Sequence, residues 1–245
     1  MSLEEMIYKR QSHRDFKETP CTPEVLEDVL DFIDNSKPLF PEIKLKAAIL
    51  GNDDISSIVN WKAPHYLTIF SEEKEGYLEN VGFIFQQLDL YLASIGLGSV
   101  WYGLAKFKAK SMEAQELASD ENYKYVICIA FGEVKSELYR SPDQFKRRTL
   151  CEISDDCDQR LEVARLAPSA VNSQPWYFTS IEGIYSIYRE KLNIVKRKML
   201  GYFNKIDIGI ALAHIYVANP ETFRLVESDD PEEVKGYEYY KSFKF

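Results

Sequence analysis

The chain has 245 residues, of which 45% are hydrophobic and 28% charged, with a formal net charge of −9. That length allows one large domain or two small ones, with a core that buries roughly 70–75% of the unfolded surface. The acidic balance argues against a nucleic-acid backbone binder, whose footprint is basic, but leaves room for a local basic pocket. Four cysteines (Cys21, Cys128, Cys151, Cys157) form no C-x-x-C pair and only three histidines are present. A zinc site of the usual kind is therefore not expected. No long uninterrupted apolar run is present, and the opening MSLEEMIYKR lacks the apolar core of a signal peptide. The expectation is a cytoplasmic protein with reduced thiols and no membrane or nucleic-acid partner.

In chain order, Ser2 to Tyr8 reads as a short helix that ends in a cationic cluster. Thr22-Pro23-Glu24 is a helix start, with Thr as N-cap, Pro in the first turn and an acid behind it. Val25, Leu26, Val29, Leu30 and Ile33 then line one face, and Lys37-Pro38 stops the helix. Residues 46–50 and 66–70 are short apolar strands bounded by turn residues. From Tyr77 to Ile95 a wide apolar face (Val81, Ile84, Phe85, Leu88, Tyr91, Leu92) suits a central helix buried on most sides.

Ser99 to Tyr102 is a strand or buried turn, Ser111 to Ala118 an amphipathic segment, and Tyr123 to Phe131 the strongest strand. Residues 136–148 form a polar, basic loop, and Asp155 to Ala167 is again helical. Trp176 to Phe178 starts a strand, Asp207 to Ala218 is a second apolar helix, and Glu227 to Glu238 is an acidic surface turn or strap. Helix, strand, central helix and strand over 20–131 recur in compressed form over 155–226, and Asn80-Val81-Gly82 echoes Asp207-Ile208-Gly209. On pattern alone, duplication and chance likeness between two helices are equal readings.

Four constellations carry potential chemistry. Arg10-Gln11-Ser12-His13-Arg14-Asp15-Phe16 sets two guanidiniums four apart around a hydroxyl. That suits a phosphate monoester, although a solvated charged turn is the plainer reading. In Ala167 to Trp176, Pro168 and Pro175 stiffen a loop, while Ser169 and Ala170 let a flat ligand approach the backbone. Asn172 and Gln174 offer the amide donor and acceptor that a pyrimidine-like ring edge needs. Gly96 to Gly103 fails as a dinucleotide fingerprint because Trp101 stands where a third glycine belongs and a helix precedes it. A close approach of ligand to backbone at Gly103 remains open. Lys146-Arg147-Arg148 is a compact cation cluster in an acidic chain. G-x-S-x-G is absent, and His65 and His214, in apolar stretches, read as hydrogen-bonded core residues.

At these residues the sequence resembles the nitroreductase family of FMN-dependent oxidoreductases. Arg10 to Phe16 is similar to its R-R-S-x-R-x-F segment and Ala167 to Trp176 to its A-P-S-x-x-N-x-Q-P-W segment. Leu97 to Gly103 is similar to its G-x-G-x-x-W-x-G stretch, and Lys146 with Arg148 to its late basic pair. Ordinary members are homodimers with FMN between subunits, each subunit giving one of the two main segments. One copy of each on one chain, far apart, resembles a smaller subfamily built as pseudo-dimers.

The resemblance implies an α+β fold: a mostly antiparallel central sheet flanked by helices, in two related halves, 1–150 and 151–245, forming an intramolecular pseudo-dimer. It implies one FMN, held by Arg10, Gln11, Ser12, Arg14, Gly103, Lys146, Arg148, Pro168, Ser169, Ala170, Asn172 and Gln174, with no catalytic side chain and no metal. NAD(P)H would be the reductant and a nitroaromatic, quinone or similar small molecule the acceptor. The alternative is a flavin-binding or regulatory protein without turnover. Gln11 replaces the family's second arginine, so charge compensation leans on Arg10, Arg14, Lys146 and Arg148. Lys146-Arg147-Arg148-Thr149 can equally be the second half's counterpart of the first motif. A monomer in solution is expected.

Overall fold

The computed structural model describes residues 1–56, 58–108, 115–116, 119–228 and 230–245, so the segment expected at 111–118 lies almost wholly outside the described residues. Helices α1 (Leu3–Ile7), α2 (Pro23–Asn35) and α3 (Tyr77–Ser94) are interspersed with six strands. These are β1 (Leu45–Gly51), β2 (Ile55–Ser56), β3 (His65–Ser71), β4 (Gly98–Tyr102), β5 (Lys106–Phe107) and β6 (Lys124–Gly132). Then come α4 (Leu150–Ile153), α5 (Glu162–Arg165), β7 (Trp176–Ile181), β8 (Ile184–Glu190), α6 (Ile194–Ala218), β9 (Arg224–Val226) and β10 (Tyr237–Lys244).

The expected antiparallel sheet with flanking helices is present, arranged as two four-stranded sheets. One has the order β1-β3-β6-β4 and the other β7-β8-β10-β9, with every neighbouring pair antiparallel. Each therefore runs first, second, fourth, third in chain order, with its long helix between the second and third strands. A short β2-β5 ribbon stands apart.

The two long helices cross at their glycines. A Cβ on Gly82 would run into the Ile206 carbonyl, and one on Gly209 into the Glu79 carbonyl. Backbone thus packs on backbone, which only glycine permits. One continuous core surrounds the crossing: Val81, Phe85 and Leu88 from α3, Ile208, Leu212 and Ile215 from α6, Ile69 and Ile129 from one sheet, Ile187 and Phe243 from the other. Sequence-distant elements share this core, so neither sheet closes its apolar face alone.

Four expectations need correction. The helix expected from Asp155 shrinks to Glu162–Arg165, because Asp158 accepts from Arg160 N at 2.9 Å to start a 3₁₀ turn over Gln159–Leu161. The helix expected from Asp207 begins at Ile194, its N-cap Asn193 accepting from Lys196 N at 2.9 Å; its first turns are exposed and cationic, so no apolar period marks them. β8, β9 and β10 are absent from the sequence expectation: β8 and β10 are tyrosine-containing strands with a weaker signal than an aliphatic run, and β9 is only three residues long. Finally, Cys151 and Cys157 form a disulfide where reduced thiols were expected, because the turn after α4 brings their Cα atoms to 4.3 Å. Cys21 and Cys128 are free. Among the described residues no helix is long and apolar enough to cross a membrane.

Candidate functional site

The first motif is an extended segment wedged against the first sheet, not a turn. Ser12 bridges Ser99 of β4, while Arg10 and Phe16 bridge Tyr139 and Val134 on the chain that leaves β6. His13 N donates to Ser99 O at 3.0 Å, Arg140 N to Lys9 O at 2.9 Å, and Gln11 Nε2 to Glu137 O at 2.8 Å. Gly98 makes room: a Cβ there would meet Val134 and His13.

Arg10 is buried, and so is the carboxylate that pairs with it. Its Nε lies 3.0 Å from Asp89 Oδ2, too far off line for a hydrogen bond, and its terminal nitrogen donates to Ser12 Oγ at 3.2 Å. Ser99 Oγ donates to the other Asp89 oxygen. Gln86 Nε2 donates to Asp89 Oδ2 at 3.0 Å and lies 3.1 Å from His214 Nε2, while Trp101 Nε1 donates to Gln86 Oε1 at 3.1 Å. His214 Nδ1 then donates to Val163 O at 2.9 Å. Burial drives the His214 pKa down to about 3, so the ring is neutral. Both His214 and His65, which accepts from Cys21 N at 2.8 Å, are bonded core residues as expected.

Arg10 is not alone. Arg140 lies over the Phe145 ring at 4.4 Å and Arg147 over the same ring at 5.8 Å. Burial first, then the Arg10 charge, push the Arg140 pKa down to about 10. Arg147 also falls to about 10, through burial and then Arg140, Arg10 and Arg165. Arg165 is neutralised by Glu162 and Arg10 by Asp89, but among the described residues Arg140 and Arg147 form no ion pair. The Nε atoms of both are buried without a hydrogen-bond partner. Crowded guanidiniums short of counter-charge are costly unless an anion joins them.

The second motif meets this cluster. Arg147 donates to Asn172 Oδ1 at 2.7 Å, and Asn172 Nδ2 donates to Lys146 O at 2.9 Å. Gln174 Oε1 accepts from Arg148 N at 2.7 Å, and Gln174 Nε2 donates to Asn172 O at 3.2 Å. Both amides that could face a ring edge are thus engaged within the protein, and Gln174 is buried. Val171, Asn172 and Gln174 have φ of 48°, 58° and 49°, and for β-branched Val171 that conformation is strained. Ser169 Oγ accepts from Gln174 N at 2.9 Å, closing the loop, and Asp207 Oδ1 accepts from Ala170 N at 3.0 Å, holding it to α6. Burial raises the Asp207 pKa to about 8, and its Oδ2 has no partner.

Of the expected residues, Arg10, Ser12, Ser169, Ala170 and Asn172 lie on or directly behind this arrangement. Arg14 and Lys146 are exposed and Pro168 is buried at the loop's start. The Arg148 side chain turns to Glu190 at 3.9 Å. Gly103 is approached by the Phe203 ring of α6, which a Cβ would strike. Sequence reasoning does not single out Arg140, Asp89 or Asp207 as site residues, and it includes Arg147 only within the Lys146-Arg147-Arg148 cluster, from which the family resemblance selects the two neighbours. An acid on the apolar face of each central helix was the legible signal for Asp89 and Asp207; Arg140, alone in a polar loop, carried none.

A family model described as "Putative TM nitroreductase" matches residues 2–219. Among solved structures, a "putative nitroreductase" from Thermotoga maritima superposes with a TM-score of 0.62 at 23% identity, covering 99% of this chain and 92% of that one. A nitroreductase family protein from Clostridium difficile 630 gives 0.45 at 17% identity, covering 59% and 90%. An FMN-dependent nitroreductase from Clostridium difficile R20291 gives 0.42 at 16% identity, covering 56% and 92%. No curated protein matches the chain. With the family match running over nearly the whole length and the T. maritima protein sharing the fold end to end, the chain belongs to the nitroreductase family of oxidoreductases.

Proposed function

We propose that this protein is an FMN-dependent NAD(P)H oxidoreductase that reduces a nitroaromatic, quinone or similar electron-poor small molecule. The observation that carries the reading is the pair Arg140 and Arg147, half-buried, with buried Nε atoms and no ion pair among the described residues, of which Arg147 is joined through Asn172 to the strained 169–174 loop. Such a donor set fits a phosphomonoester, which forked guanidiniums bind well. Arg140 and Arg147 would hold the FMN phosphate, with Ser12 and Arg14 on its open side. Ser169 and Ala170 present small side chains and backbone to the rest of the cofactor. Asp89 keeps Arg10 in place and spends its charge, so Arg10 shapes the site more than it neutralises the phosphate.

When bound, FMN supplies the hydride chemistry, and the protein contributes binding, orientation and electrostatics. Nearby cations also favour a ring that gains negative charge. The repeated strand order and the glycine crossing support a pseudo-dimer of halves 1–150 and 151–245. In that reading the first half gives the arginines and the second the loop, so one chain suffices for one site.

The test is the visible spectrum of the purified protein, followed by NAD(P)H consumption with menadione or a nitroaromatic. Yellow protein with acceptor-dependent turnover supports the reading. Protein that takes up no FMN contradicts it. Flavin without turnover would leave the binding-protein alternative.

A further inference from the structure

A second cleft, of about 800 Å³, lies between the end of β8, the first turn of α3 and the first turns of α6. That volume is within the range of nucleotide and cofactor sites. Its three wall carboxylates are already paired. Glu73 pairs with Lys124, Glu190 faces Arg148 at 3.9 Å, and Glu238 accepts from Arg189 at 2.6 Å.

The lining also has cations to spare. Among the described residues Lys191, Arg197 and Lys205 form no ion pair, whereas Arg189 is shared between Glu238 at 2.6 Å and buried Glu79 at 3.9 Å. From Lys191 to Ile206 the chain carries five cations (Lys191, Lys196, Arg197, Lys198, Lys205) and no acid, against a net charge of −9 overall. The first turn of α6 carries no acid either. The helix dipole there already favours an anion, and cations in that turn are unfavourable unless one binds.

Polar and aromatic groups complete the wall. Asn204 is 1% exposed, lines the cleft, and its Nδ2 has no hydrogen-bond partner. The Tyr77 and Tyr202 rings line it too. The cleft shares a wall with the cofactor loop: Glu190 N donates to Pro175 O at 2.8 Å, and Ser173 Oγ donates to Asn204 Oδ1 at 3.4 Å.

We infer that this cleft binds the phosphate-bearing half of an adenine nucleotide, with Lys191 and Arg197 on phosphate, the free Asn204 amide donating to a sugar oxygen or an adenine ring nitrogen, and the tyrosines beside the base. Two sources share that chemistry: a phosphorylated nicotinamide reductant, or a free nucleotide. The first source rests on the oxidoreductase reading; the second does not.

The full chain is titrated with 2′,5′-ADP, and with adenosine as control, by calorimetry. The titration is repeated on Lys191→Ala/Arg197→Ala, two exposed positions that the fold does not need. Saturable binding of 2′,5′-ADP, weakened about tenfold or more in the double variant, is expected, since each lost contact is a hydrogen bond to a charged group. No saturation, or saturation the variant leaves unchanged, overturns the proposal. Kinetics identify the source. A KM for NADPH raised about tenfold, with kcat and the KM for NADH unchanged, assigns the site to the reductant. Unchanged kinetics with weakened 2′,5′-ADP binding assigns it to a free nucleotide. A wild type that binds 2′,5′-ADP yet oxidises neither nicotinamide contradicts the oxidoreductase reading and supports the cleft.

Discussion

The loop after α2 and the loop after α5 hang from the same scaffold and do different things. Asn80, two residues before Gly82, accepts from Leu39 N and Phe40 N at 2.9 Å each. Asp207, two residues before Gly209, accepts from Ala170 N at 3.0 Å. The attachment is the same; the loops are not. Pro38-Leu39-Phe40-Pro41 lays its Phe40 ring over Gly76 and, with Phe83, Phe223 and Leu225, lines a mostly apolar cavity of about 270 Å³. Pro168 to Pro175 instead carries hydroxyls and amides, and Arg147 reaches it. At the edge strands, β4 takes Ser12 of the first motif as a neighbour, whereas among the described residues no such bridge is made to β9. The repeated strand order thus carries a polar, cationic loop cluster on one side and an apolar cavity on the other. Chemistry follows the loop and the edge segment, not the sheet.

The largest expected effect separates the two sides directly. Arg140→Ala with Arg147→Ala should abolish flavin retention, each removing roughly 1.5–3 kcal/mol of charge-assisted bonding. Lys37→Ala with Arg224→Ala, the basic residues of the apolar cavity, should leave flavin content unchanged. Flavin content after purification reads both, and equal behaviour of the two pairs would dissolve the contrast.

Next in size is the shared scaffold. Gly82→Val and Gly209→Val each drive a side chain into a facing carbonyl, at a cost of about 3 kcal/mol or more. With ~2–4 °C of melting temperature per kcal/mol, thermal denaturation should show a large and similar fall for both. A fall for only one would mean that the crossing is not shared equally.

Asp207→Asn sharpens the comparison because asparagine already does this work at position 80. The folded-state pKa of Asp207 is raised to about 8 by burial. The unfolded chain loses its proton near 3.9, so folded stability from this group falls as pH rises from that value toward about 8. The variant should therefore match wild type in acid and be more stable at pH 8, as read by melting temperature against pH. A parallel profile at all pH values would contradict the buried-acid assignment.

The smallest effect belongs to Lys146, which is exposed. Lys146→Ala should change FMN affinity by less than about 1 kcal/mol, as read by flavin titration. A loss as large as that of Arg147→Ala would return the phosphate to the residues that the family resemblance named.

How much was legible follows from the kind of signal each element carries. β1, β3, α3 and β6 combine apolar runs with turn residues, and they fell within a residue or two of expectation. The Asn80 and Asp207 echo was legible as well, because a polar residue and a glycine in an apolar helix serve packing that few sequences need. The first half of α6 was not. Ile194 to Phe203 is a solvent-facing cationic stretch whose helicity comes from the Asn193 cap and from continuity with the buried half. Motif reading also named the right segments but not always the right side chains. Lys146 and Arg148 match the family pattern, yet it is Arg147 that reaches Asn172, while Lys146 is exposed and Arg148 turns to Glu190. Arg140 reaches the cluster only because residues 133–140 run antiparallel to residues 9–17.

The central claim is that two copies of one scaffold hold one working site. The flavin-to-chain ratio of purified, FMN-saturated protein, taken from absorbance with the mass from light scattering, tests it most directly. One FMN per 28.4 kDa chain in a monomer is the predicted result. Two flavins per chain, or a protein that stays colourless in excess FMN, would contradict it.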